Sequence, residues 1–189
     1  MDKEILRSEI FRHLDGVVTA PVVASLMKNE IIAFIIQREK ILLSELSGEF
    51  NANEGYLNVA IRALASQGFL EYDVDNENDT IAISANQKTQ FLQKYSLLYL
   101  KVIPFLRHST NIKNQINENS FIEEFTLLSD AVKNHFGIEL SEDAEEKNVQ
   151  EQILKHIEGC IIGPVIVYLG MTGMFHKYFM ETSFHAAEF

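Results

Sequence analysis

Few residues in this chain could do chemistry. The stretch ILKHIEGCIIGPVIVYLGM, Ile153 to Met171, reads at first as a buried strand running into a glycine loop, the arrangement that cradles phosphates against backbone N–H groups. Its glycines do not fit that use. Gly170 and Gly173 are separated by two residues, and no G-x-G-x-x-G occurs anywhere in the chain. His13 with Asp15, and His156 with Glu158, suggest a repeated metal or acid/base pair. Residues two apart on a helix diverge by about 200° around its axis, so one such pair is a poor chelate. His176 and His185 stand at no ligand spacing. Asp73, Asp75, Glu77 and Asp79 could suggest calcium, but a loop starting at Asp73 has Asn78 where the turn glycine belongs and Ser84 where the closing glutamate belongs. The single Cys160, between Gly159 and Ile161, has no partner for an internal disulfide and reads as a buried thiol. No catalytic, cofactor-binding or metal-ligating residue is assigned on these grounds.

With 189 residues, 47% of them hydrophobic, the chain has room for one or two small domains. Its apolar runs are interrupted by Lys28, Glu30, Gln37 and Arg38, or by Gly163, Gly170 and Gly173, short of the roughly 20 apolar residues that a membrane span needs. MDKEILRSEIF lacks the features of a signal peptide, so a cytoplasmic protein is expected. The net charge is −11, and both halves share it: residues 1–95 hold 14 acids and 9 bases, residues 96–189 hold 13 and 7. Neither half has the basic surface of a nucleic-acid binder.

Apolar spacing predicts a helix over residues 3–14 ending at Gly16, and a second from about Ala20 to Ile36, capped by Thr19 with Pro21 in its first turn. Ser44 then caps a short helix, Asn53 caps a longer one carrying Leu57, Ile61 and Leu64, and Gly68 ends it. Phe69, Leu70, Tyr72 and Val74 read as a strand, Asn76–Asn78 as a turn, and Thr80, Ile81 and Ile83 as the returning strand. Helix, turn, helix, hairpin is a winged helix. A long helix follows from Lys88 to His108, with Pro104 bending or ending it, then a polar loop over 109–120 and a helix from about Phe121 to Phe136. SEDAEEKNVQ is an acidic connector or helix start.

An internal repeat settles the opening stretch. Ile10–Ile35 laid over Ile153–Tyr178, an offset of 143, pairs Ile10, His13, Gly16, Pro21, Val22 and Leu26 with Ile153, His156, Gly159, Pro164, Val165 and Leu169. The first copy is helical by its own spacing, so the second is expected to be helical too. After METSFHAAEF the chain stops about where the first copy enters its winged helix, which suggests the front piece of a longer polypeptide.

HLDGVVTAPVVASLMKNEIIAFI, followed by LLSELSGEFNANEGYLNVAIRALASQGFLE and a hairpin, resembles the N-terminal region of S-adenosylmethionine-dependent methyltransferases, in particular small-molecule O-methyltransferases and the methyltransferase domains of polyketide synthases. The likeness covers about residues 8–95 and, through the repeat, 151–180. It implies a winged helix that dimerises or covers an active site, beside a separate Rossmann-like domain that holds the cofactor. This chain has no strand with a glycine-rich cofactor loop, so no S-adenosylmethionine-binding residue carries over. The resemblance implies a module silent by itself, with S-adenosylmethionine bound by a following catalytic domain.

Two rivals remain: a winged-helix transcription regulator that binds DNA, and a structural adaptor of a multidomain synthase. Against the first, the Glu54–Gln67 helix offers only Arg62 as a cation, and Glu71–Gln87 holds five acids and no base. The apolar helices Ala20–Ile36 and Lys88–Phe105 predict a homodimer, since they carry more large side chains than a small winged domain can bury. The expected organisation is a mainly α protein with a small β-hairpin: a winged-helix domain over 1–95, a helical connector over 96–150, and an incomplete second copy of the lead-in helices over 151–189.

Overall fold

The computed structural model describes residues 3–109, 119–136, 140–173 and 176–177. The fold is mainly helical with one small antiparallel sheet, as the spacing predicts. Its elements are α1 (Lys3–Lys28), α2 (Ile31–Arg38), β1 (Lys40–Leu42), α3 (Leu43–Glu49), α4 (Glu54–Ser66), β2 (Leu70–Asp75), β3 (Thr80–Ala85), α5 (Gln87–Ser109), α6 (Asn119–Phe136) and α7 (Ala144–Met171). METSFHAAEF, His185, and most of the expected loop over 109–120 lie outside the described residues.

The segment from α3 to β3 has the order of a winged helix. The Asn53 side chain caps α4 by accepting from the Tyr56 backbone N–H at 3.1 Å. Gly68 takes φ +75° after α4, a conformation that would strain any residue carrying a Cβ. Strand alternation sends Leu70 and Ile83 into the core with Leu46, Ile61, Leu64 and Phe69. Two details differ from expectation. Lys40–Leu42 forms a third strand that pairs antiparallel with β3, Ile41 opposite Ile83, giving the sheet order β1-β3-β2. Ser44 lies inside α3 rather than capping it; the cap position is Leu42, whose N–H donates to Glu45 Oε2 at 3.4 Å.

The larger correction concerns the lead-in helices. No break occurs at Gly16, and α1 runs unbroken through Gly16 and Pro21 to Lys28. The chain turns instead at Glu30, where φ is +61°, and α2 leaves at 73° to α1. The second copy behaves as the first: α7 is one helix through Gly159, Gly163 and Pro164, so Val165–Leu169 is helical and the strand-and-loop reading of the opening stretch is excluded. An interior glycine costs a helix about 1 kcal/mol and an interior proline about 3. Packing between the copies offsets that cost, because α1 and α7 form the most extensive contact between helices among the described residues. Gly16, Ala20, Gly159 and Gly163 are all buried, and the four-residue spacing in each copy puts its small pair on one helix face.

The same packing covers the apolar helices. Leu92, Tyr95, Leu98, Tyr99 and Val102 of α5 are buried in one continuous cluster with Ala20 and Val23 of α1 and Val149, Ile153 and Ile157 of α7. Much of the apolar surface on which a dimer was expected is therefore hidden within one chain; Val18 and Leu97 stay exposed on those helices. No single helix among the described residues is long and apolar enough to cross a membrane. The bent pair α1–α2 has that composition, but Ala20, Val23, Ile32 and Ile35 are buried in the core.

Candidate functional site

Among the places where the described residues combine polar groups with access to solvent, two bear on function. One is a cleft of about 330 Å³ where α1, the end of α4, the start of α5 and α7 meet; Asp15, Gln67, Lys88, Gln152 and Lys155 line it, with His156 at its floor. The other is the outer side of α4 and the hairpin.

At the cleft floor three segments converge on one imidazole. Tyr99 on α5 and His156 on α7 share a hydrogen bond of 2.7 Å at Nδ1. His156 Nε2 lies 3.2 Å from Gln67 Oε1, at the end of α4. Gln152, one turn earlier on α7, donates to the Gln67 main-chain carbonyl at 2.9 Å and to Oε1 at 3.1 Å. Gln67 Oε1 is an acceptor, so the consistent assignment protonates Nε2 and has the Tyr99 hydroxyl donate to Nδ1. Phe69 packs edge-on against the ring at 6.1 Å between centroids. Burial lowers the His156 pKa to about 4, so the imidazole is neutral at neutral pH.

This arrangement binds segments to one another: both ring nitrogens are engaged in hydrogen bonds. The Cys160 Sγ faces the Gly16 carbonyl at 3.3 Å, and burial pushes its thiol up to about 12, away from the reactive thiolate form. Cys160 is accordingly expected to react with a thiol reagent at least about a hundredfold more slowly in the native protein than in urea. Rapid native labelling would show that the α1–α7 seam opens readily.

A second polar cluster ties the start of α7 to α5. Glu146 accepts from Lys94 Nζ and the Tyr95 hydroxyl, each at 2.6 Å, and from the Ser141 hydroxyl at 2.8 Å. These bonds, that from Lys94 foremost, hold its carboxyl at about 2.

His156 is buried while Glu158 is exposed, so the pair diverges as its spacing implies. Asp15 is exposed, and the side chain of His13 lies outside the described residues. His176 is exposed. Asp75 accepts from the Glu77 N–H at 2.9 Å and from the Asn78 N–H and side-chain amide at 3.2 and 2.7 Å. Those bonds, the Asn78 side-chain amide first, hold its carboxyl below the usual range and build the hairpin turn. No group of three or more His, Cys, Asp or Glu residues among the described ones is placed to hold a metal ion. Tyr99, Gln67 and Gln152 carry no local signal of their role, since their partners lie far along the chain.

The outer side of α4 has a different character. Tyr56 is 81% exposed, Val59 66%, and Val74 on β2 54%. A shallow groove of about 380 Å³ runs between the helix and the hairpin, lined by Val59, Arg62, Ala63 and Tyr72. The Tyr72 hydroxyl donates to Asn58 Oδ1 at 2.7 Å, fixing the strand against the helix. Residues 50–87 hold six carboxylates and one cation, Arg62.

No curated protein matches the chain. The family described as the AprA N-terminal domain matches residues 6–72, the stretch from α1 into β2, so about a third of the chain is similar to that domain.

Proposed function

We propose that this chain is a non-catalytic N-terminal module of an S-adenosylmethionine-dependent methyltransferase acting on a small molecule or a polyketide-type acyl substrate. It serves there as a dimerisation or lid element beside a following catalytic domain, in the cytoplasm. The methyltransferase part rests on the sequence resemblance. That the matched family is described as an N-terminal domain supports a module that precedes others. The observation that carries the non-catalytic, protein-facing role is the outward helix of the helix–turn–helix: it presents Tyr56 and Val59 to solvent with Arg62 as its one cation.

The same order of elements favours a DNA-binding regulator as the second reading, since such proteins place the second helix of the turn in the major groove. Charge opposes it: β2 and the turn after it, carrying Glu71, Asp73, Asp75, Glu77 and Asp79, would meet the phosphate backbone with repulsion. Titration of the purified chain with S-adenosylmethionine is expected to give no binding heat, and a low-salt gel shift against random duplex no complex. The coding sequence after Phe189 should continue into a strand with a glycine-rich loop. Cofactor binding by this chain would overturn the non-catalytic assignment. A duplex complex that weakens steeply with salt would put the regulator in its place.

A further inference from the structure

The sheet ends on an open edge. In the order β1-β3-β2, strand β2 has a neighbour on one side alone among the described residues. One hydrogen bond fixes which of its main-chain groups face outward. The Ala85 N–H donates to the Glu39 carbonyl at 3.1 Å, so Ala85 and Ile83 direct their main-chain groups toward β1, and Ser84, Ala82 and Thr80 direct theirs toward β2. Opposite these three stand Glu71, Asp73 and Asp75. The N–H and C=O of Tyr72 and Val74 therefore point away from the sheet, and no described residue bonds to them.

The two faces of that edge differ. Alternation puts Val74, 54% exposed, on the same side as Tyr72, where the groove lined by Val59, Arg62, Ala63 and Tyr72 opens. Glu71, Asp73 and Asp75, all exposed, project from the opposite face, where their neighbours on β3 are Ser84, Ala82 and Thr80. A row of carboxylates about 7 Å apart thus runs along the edge with no cation opposite it on β3.

We propose that this edge takes up an antiparallel β-strand of a partner polypeptide in which basic and apolar residues alternate. The inference rests on the protein-facing reading above and adds the chemistry of the partner. Each half of the pattern has its own cause. An added strand would exchange main-chain hydrogen bonds with Tyr72 and Val74. Its residues opposite these two share their face and extend the apolar surface over the groove, where a cation would meet Arg62. Its residues opposite Glu71 and Asp73 share the carboxylates' face, about 5 Å away between Cβ atoms, where lysine or arginine is attracted and a carboxylate repelled. A slip of one residue would exchange the two faces, so composition fixes the register. A second copy pairing β2 with β2 would set carboxylates against carboxylates.

Fluorescence anisotropy on the full chain at low salt tests this with a labelled peptide of about nine residues alternating lysine and valine. The peptide is expected to bind with an affinity that falls with salt. A glutamate–valine peptide should not bind, and the same lysines and valines arranged in two blocks should bind at least about fivefold more weakly. N-methylation separates strand addition from charge alone. Methyl groups on the valine nitrogens, which face β2 in the antiparallel register, should weaken binding at least about tenfold. Methyl groups on the lysine nitrogens, which face away, should leave it within about threefold. Val74→Pro removes an outward N–H while sparing the ladder to β3, and should weaken binding at least about tenfold with unchanged circular dichroism. Glu71→Gln with Asp73→Asn should weaken it at least about threefold. Glu142→Gln with Glu158→Gln, exposed residues elsewhere with the same change in formal charge, should leave it within about twofold.

No binding of the alternating peptide, losses from lysine methylation as large as those from valine methylation, or equal losses from the two charge pairs would overturn the proposal while leaving the protein-facing reading intact. The first of these would mark the edge as one that its charges protect from pairing. Duplex binding without peptide binding would remove the protein-facing reading itself.

Discussion

Gly16→Ala is expected to destabilise the protein by about 3 kcal/mol, although alanine is the better helix former by about 1 kcal/mol. A Cβ at Gly16 would meet the His156 Cα at 2.7 Å and its carbonyl carbon at 2.8 Å, as well as the carbonyl oxygen. These are backbone atoms of the facing helix and cannot rotate away, so α1 and α7 must separate. Overpacking of this kind costs about 3 kcal/mol, and loosening the hydrogen bonds around His156 and Cys160 removes about 1 more. With the gain in propensity, the net remains near 3. For a chain of this size that lowers the melting temperature by about 10 °C. Gly163→Ala should cost roughly half as much, because its Cβ would meet the Cγ2 of Val17, a side chain, held mainly in one rotamer. Val17→Ala in the Gly163→Ala background should recover part of that loss, whereas no single side-chain truncation should rescue Gly16→Ala. Urea denaturation of these variants reads this directly. A Gly16→Ala protein more stable than the parent would mean that the helices do not touch there.

The position of that contact explains which parts of the fold the sequence carries openly. Asn53 as a cap, Gly68 as a turn and the alternation of Leu70, Tyr72 and Val74 act through neighbours, so they can be read in place. The repeat carried further: matching residues at the two sites identified Val165–Leu169 as helical where local glycines suggested otherwise. Yet the same glycines and prolines misled about breaks. Gly16 and Pro21 look like punctuation because the cost of keeping them helical is local, while the contact that offsets it comes from a helix 144 residues away in the case of Cys160 and Gly16. The true bend at Glu30 needs a left-handed backbone without a glycine, supported by the Asn29 side chain donating to the Ser25 carbonyl at 2.8 Å. Strand β1 is three residues long, too short to show a period, and exists because β3 offers an edge. The cleft floor was illegible for the same reason as the seam, since Tyr99 and Gln67 lie 57 and 89 residues from His156.

Between pH 7 and pH 5 the protein is expected to lose about 2 kcal/mol of stability from His156 alone. Its folded pKa is lowered from 6.5 to about 4 by burial, so the unfolded chain binds the proton more readily. The stabilisation is present above the unfolded value and is lost progressively as pH falls toward the folded one. Linkage with those two values gives about 2 kcal/mol at pH 5 and nearly nothing at pH 7. Glu146 has the same sign, its carboxyl held at about 2 chiefly by the hydrogen bond from Lys94, but its loss begins only below the ordinary glutamate range. The window from pH 7 to pH 5 therefore separates the imidazole from the carboxylates. Urea denaturation across that window should show the slope in the parent, and His156→Gln, which cannot titrate, should flatten it while lowering stability at pH 7. Tyr99→Phe should keep a reduced slope, because the hydroxyl that donates to Nδ1 favours the neutral ring. An unchanged slope in His156→Gln would assign the pH dependence to another group. It would also mean that water reaches the imidazole through the cleft, leaving the floor between α4, α5 and α7 open to a ligand's polar atoms.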